Sequence, residues 1–183
     1  MAMHNLLALF LFITYIVCPL DAARVLDVSD GEDLVVTTCN HTLYSKLCLS
    51  SLQSDPRSPT ADVKGLAIVA LDICNAHGAH MISHVNELKS QKNTTYPPYI
   101  FSCLDDCINE YQEATGNLKE AAEALENKSY SSVNAFTTAA MTDSDSCEDG
   151  CSDNLEYKSP LTLKNQHFFQ LCSNALAITN LLG

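Results

Sequence analysis

The sequence predicts an all-α protein, an up-down-up-down four-helix bundle preceded by a helical hairpin extension and stapled by disulfides. Three observations predict it. Four long segments repeat apolar residues at the helical period, breaker-rich connections separate them, and eight cysteines remain once an N-terminal leader is set aside.

The leader comes first. The chain opens "MAMHNLLALFLFITYIVCPLDAA", where Leu6 to Val17 is an apolar run too short for a membrane span and is followed by the small residues Ala22 and Ala23. Residues 1–23 read as a signal peptide, and 24–183 as one exported domain: a hairpin extension over about 30–54 and a bundle over about 60–183. No later segment reads as apolar enough to cross a bilayer. Sequons at Asn40, Asn93 and Asn127 fit a glycoprotein. The net charge is −12, and the leader removes only Asp21, which leaves −11. So acidic a surface excludes nucleic acid and anionic membranes as partners and favours basic proteins.

The hairpin extension holds "CNHTLYSKLC", in which Cys39 and Cys48 close a short loop. After the break "SDPRSPT", the first bundle helix shows Val63, Ala67, Ala70, Leu71, Cys74, Met81, Ile82, Val85 and Leu88 on one stripe. After "TTYPPY", the second shows Leu104, Cys107, Ile108, Tyr111, Leu118, Ala121, Ala122 and Leu125. After "ENKSY", the third runs Val133, Phe136, Thr137, Ala140, Met141, Cys147 and Cys151. After "KSPLT", the fourth runs Phe168, Leu171, Cys172, Ala175, Leu176, Thr179 and Leu182. Short connections make sequential helices antiparallel neighbours.

In an antiparallel pair, facing residues keep a constant index sum. The indices of Cys103 and Cys151 sum to 254, as do those of Cys107 and Cys147, and half of that value falls at Asn127 in the turn between the two helices. The stretches "SCLDDC" and "SCEDGC" therefore face each other, one helical turn apart. Ser102, Ser144 and Gly150 are expected to help the helices approach. Four thiolates could also hold zinc, but in an oxidising compartment two bridges are the expected state. Twin CxxxC hairpin proteins of the mitochondrial intermembrane space share the geometry, with closer motifs and no secretory leader. Cys74 and Cys172 are left midway along the first and last bundle helices, which are antiparallel neighbours in a square bundle, and a fourth bridge is expected there.

The chain lacks G-x-S-x-G, H-E-x-x-H, a P-loop and a dinucleotide fingerprint, and no cofactor is called for. Two features are decoys. Asp145, Asp149, Gly150, Asp153 and Glu156 match several EF-hand loop positions, but the third position is Cys147 and the helical stripe runs into the segment. His77, His80 and His84 share one helix flank, read as solvated rather than metal-binding.

Several motifs together resemble the plant invertase and pectin methylesterase inhibitor domain. They are the C-x8-C of Cys39 and Cys48, "LDDCINEYQEA" around Cys107, "SYSSVNAFTTAA", "SCEDG" and the terminal "NALAITNLL". The stretch "DPRSPTADVKGLAIVA" is most similar to the family's pollen-allergen subgroup. The resemblance covers essentially the whole mature chain. It implies a four-helix bundle with a hairpin extension, bridges Cys39–Cys48 and Cys107–Cys147, and an apoplastic location. It also implies no enzymatic activity, and inhibition of pectin methylesterase or acid invertase by steric occlusion of the active-site cleft. Members that inhibit invertase typically carry Pro-Lys-Phe in the turn between the second and third bundle helices, and the aligned residues here are Lys128, Ser129 and Tyr130. The Pro is absent, and the sequon at Asn127 adjoins them. Alternatively, Ser129 caps the third helix and Tyr130 packs on the bundle. Pectin methylesterase would instead be met by a helix face bearing Glu110, Glu113 and Asn117. A lipid-transfer role lacks its Cys-Cys and Cys-x-Cys signatures. A scaffold that keeps the fold without the inhibition is the other reading.

Overall fold

A computed structural model describes residues 33–91, 96–152 and 158–183. The leader and Asn93 lie outside the described residues, as do Asp153 and Glu156. The elements in order are α1 (Leu34–Asn40), α2 (Ser45–Gln53), a 3-10 turn (Ser58–Thr60), α3 (Val63–Ser90), α4 (Pro98–Glu126), α5 (Tyr130–Ser152) and α6 (Thr162–Thr179). Among the described residues there is no strand.

Three of the helix starts show how the local sequence sets them. The Asp33 carboxylate accepts from the Val35 amide at the head of α1, and Asp62 accepts from the Gly65 amide at the head of α3. Pro98 opens α4, where its missing N–H goes unneeded. The hairpin α1–α2 is closed by Cys39–Cys48, with Cα atoms 5.5 Å apart. A reciprocal pair then ties it to the bundle: the Tyr44 amide donates to Asn174 Oδ1 at 3.3 Å, and Asn174 Nδ2 donates to the Tyr44 carbonyl at 3.2 Å.

The bundle is square. α3 packs on α4, α4 on α5, α5 on α6 and α6 back on α3, while among the described residues the diagonal helices meet through side chains across the centre and not through close backbones. Its centre is a layer of large side chains. Phe168 meets Tyr111 edge to face at 5.2 Å, and the Tyr111 hydroxyl donates to Asn165 Oδ1 at 2.7 Å. Asn165 in turn donates to Glu148 Oε2 at 2.7 Å, so this buried polar chain ends on a partly exposed carboxylate. Burial is the main reason the Tyr111 hydroxyl is driven far above its usual acidity range.

The α4–α5 pair is the tightest. Cys103–Cys151 and Cys107–Cys147 join it at Cα separations of 5.2 and 4.7 Å, inside the bonding window. The small residues that allow this are not all the expected ones. Ser144 is buried, but Ser102 and Gly150 point outward, and nothing lies near Gly150. Ala114 and Ala140, both fully buried and also summing to 254, do the work instead.

The expected fourth bridge is absent. Cys74 and Cys172 are unbonded buried thiols in hydrogen-bond contact with each other. Their register is as derived, for Gly78 faces Phe168 one turn along with the same index sum of 246. Burial pushes the Cys172 thiol well above its ordinary range, and its contact with Cys74 adds to that. Facing register therefore brings the two thiols into contact without a bond between them.

A second correction concerns α3. Its 28 residues reach a mean hydropathy of 1.3 over the best window, enough by length and composition to cross a membrane. The reason is burial inside the protein: Leu66, Leu71, Met81 and Val85 all face the core. As for the EF-hand decoy, Asp145 to Ser152 are helical and form no loop.

Candidate functional site

Two surfaces gather the residues expected to meet a target. The first is the face along α4 and α5. Glu110, Glu113 and Asn117 lie at i, i+3 and i+7 on α4, so the helix places them on one face. Asn117 Nδ2 donates across to Asp143 Oδ2 on α5 at 3.0 Å. Partial burial raises the Glu110 carboxyl above its usual range, and the charges of Asp143, Glu113 and Asp106 add to it. Asp143 is raised too, first by burial and then by Glu113, against the lowering hydrogen bond from Asn117. Further along α5, Asp145 is raised by burial and by Asp149. Among the described residues, the ion pairs join Arg57 to Asp55 and Asp72, Lys64 to Glu126, and Lys89 to Asp105. None of them neutralises this face.

Asp106 and Asp143 were missed from sequence. The signal was available, since Asp143 and Glu110 sum to 253, one off the register that pairs the cysteines.

The second surface is the turn from α4 to α5. The Ser129 amide bonds to the Ala124 carbonyl at 2.9 Å and the Lys128 amide to the Leu125 carbonyl at 3.1 Å, the two bonds of a Schellman motif. That motif needs a left-handed residue at its corner, and Lys128 takes it with φ 56° where glycine is usual. The turn thus presents an exposed, conformationally fixed Lys128. Its neighbours are occupied structurally: Ser129 Oγ pairs with Ser132 Oγ at 2.8 Å, and Tyr130 is half-buried against the core. Asn127 is exposed and caps α4, with Nδ2 donating to the Glu123 carbonyl at 3.0 Å. Asn40, the last residue of α1, is exposed as well.

The profile of the plant invertase/pectin methylesterase inhibitor family matches residues 33–178, which takes in the hairpin, all four bundle helices and both surfaces. The chain belongs to that family. A Platanus acerifolia protein named "Putative invertase inhibitor" is 31% identical over 176 residues, covering 96% of this chain and 97% of the relative. The Actinidia deliciosa pectinesterase inhibitor is 30% identical over 155 residues, covering 85% and 82%. The crystal structure of a mutant form of an Arabidopsis pectin methylesterase inhibitor superposes with a TM-score of 0.69 at 26% identity, covering 83% of this chain and 99% of that one. The bundle with its hairpin extension is therefore this inhibitor family's fold.

Proposed function

We propose that this family member is an exported inhibitor, not an enzyme, which binds pectin methylesterase or acid invertase and occludes its active-site cleft without covalent chemistry. Secretion to the apoplast follows from the leader and the sequons. One observation carries the choice of docking surface: the α4–α5 face holds several partly desolvated carboxylates, and among the described residues no ion pair reaches Glu110, Glu113 or Asp143. Such a face is under electrostatic strain that a basic partner relieves. The turn supports a weaker claim, because Ser129 and Tyr130 are engaged internally and a glycan on Asn127 would crowd Lys128. We therefore place pectin methylesterase docking on this face ahead of invertase docking on the turn.

The test is a titration of each enzyme with the wild type, with Glu110→Gln/Asp143→Asn, and with Asn127→Gln. The neutral isosteres remove like-charge repulsion, so the double variant should melt no lower than wild type yet inhibit at least about tenfold less well. Unchanged inhibition by that variant removes the face from the interface. A gain on deleting the sequon would move the interface to the turn. Failure of every form to inhibit either enzyme leaves a scaffold without this activity.

The sign of the pH dependence follows from the same groups. A basic partner favours the ionised carboxylates, so association releases protons that Glu110 and Asp143 hold at unusually high pH. Inhibition should strengthen as pH rises through the carboxylate range and weaken as it falls. The double variant should flatten that profile.

A further inference from the structure

The opposite side of the bundle carries a different chemistry. There α3 and α6 present His77, His80, His84 and His167 in a chain of ring contacts. His77 and His167 are 4.9 Å apart between ring centres, His77 and His80 6.2 Å, and His80 and His84 6.4 Å. The expectation of a solvated flank fits His80, which is exposed, but not His77. Its Nε2 is buried and has no hydrogen-bond partner, although its ring is hydrogen-bonded to the Lys164 backbone. A buried, unsatisfied ring nitrogen is costly, so an arrangement that keeps one calls for a reason.

We propose that His77 and His167 form a two-imidazole clip for a divalent transition-metal ion of the zinc class, with water in the remaining positions. The spacing fits. A zinc–nitrogen bond of about 2.0–2.1 Å places each ring centre roughly 3.2 Å from the ion, so two imidazoles on one tetrahedral ion stand roughly 5 Å apart. A ligating histidine usually has its other ring nitrogen fixed by a hydrogen bond, and the Lys164 backbone supplies one to the His77 ring.

The charged groups around the site set its strength. Lys164 on α6 acts on both His77 and His84 and opposes a cation, while Glu87 on α3 acts on His84 in the other sense. Among the described residues no three such donors gather in one place, so the clip supplies two protein ligands only. His80 and His84, with nearly parallel rings at i, i+4, are the competing pair on the same face.

The experiment uses the untagged mature chain, with Zn2+ as probe and Mg2+ as control. Uptake is followed by calorimetry and by the imidazole C–H resonances. One Zn2+ per chain should bind, shifting the resonances of His77 and His167, and Mg2+ should do nothing. His77→Gln and His167→Gln should each weaken binding by more than the roughly 10–100-fold that loss of a supporting hydrogen bond costs, whereas His41→Gln should leave it unchanged. Circular dichroism of each variant separates lost ligation from lost fold, and the resonance shifts in the wild type decide the matter if a variant misfolds. The proposal is overturned by absence of stoichiometric uptake, by uptake that survives both variants, or by uptake that follows His80→Gln/His84→Gln instead.

Discussion

Replacing all four cysteines of the α4–α5 pair with alanine should destabilise the bundle by roughly 4 kcal/mol, the chain-entropy value for opening a loop of this size. Removing either bridge alone should cost much less than half of that. Cys103–Cys151 spans 48 residues and Cys107–Cys147 spans 40 inside it, one helical turn away. Once either closes the loop, the other shortens the remaining freedom only by a turn at each side. The two bridges are thus nearly redundant in entropy, and a double-mutant cycle over the two pairs should show strong coupling. Urea melts of the four forms test it. Two single losses that add up to the double loss would show that each bridge acts through local packing, for example at Ser144 and Ala140, and that loop closure is not the cause.

That redundancy was legible in the sequence, because it depends only on register. Period 3.6 stripes identify helices, breakers delimit them, and a constant index sum fixes which residues face each other. The same arithmetic correctly set Cys74 opposite Cys172, yet facing is not bonding. Whether two buried thiols oxidise depends on their acidity and on the exact helix separation, and burial holds the Cys172 thiol above its ordinary range. Neither quantity is written in a spacing. The approach of α4 and α5 failed in a similar way: Ser102 and Gly150 are small but lie on the solvent side, whereas Ala114 and Ala140 are in the seam.

The candidate sites divide along the same line. Glu110, Glu113 and Asn117 form a face because helical spacing makes them one. Asp143 joins them from another helix, and only the cross-helix register finds it. The strained corner at Lys128 is a backbone property that composition obscures, since lysine gives no hint of a left-handed conformation. His167 was invisible as a neighbour of His77, because a flank read helix by helix omits whatever the adjoining helix contributes.

Phe168→Ala should cost about 3–5 kcal/mol, the range for emptying a buried aromatic site. Phe168 is fully buried, packs edge to face on Tyr111, and lies against Gly78, where its ring comes within 3.2 Å of the position a Cβ would take. The cavity cannot close by simple side-chain movement, because Tyr111 is anchored through its hydroxyl to Asn165. The reciprocal change tests the same contact from the other side. Gly78→Ala gains up to about 1 kcal/mol of helix propensity. Its Cβ, however, would stand 2.8 Å from Thr115 Cγ2 and 3.2 Å from Phe168, and overpacking of this kind costs about 1–3 kcal/mol. The steric term wins, so Gly78→Ala should be net destabilising. Combined with Phe168→Leu, it should cost less than it does alone, because the ring contact is relieved while the Thr115 contact persists. Inhibition by the folded fraction of each variant should match wild type, since α3 and α6 form the side of the square bundle away from the α4–α5 face. A Phe168→Ala loss below about 1.5 kcal/mol would mean that the helices collapse into the space. The layer would then be a soft contact that the surrounding helices can refill.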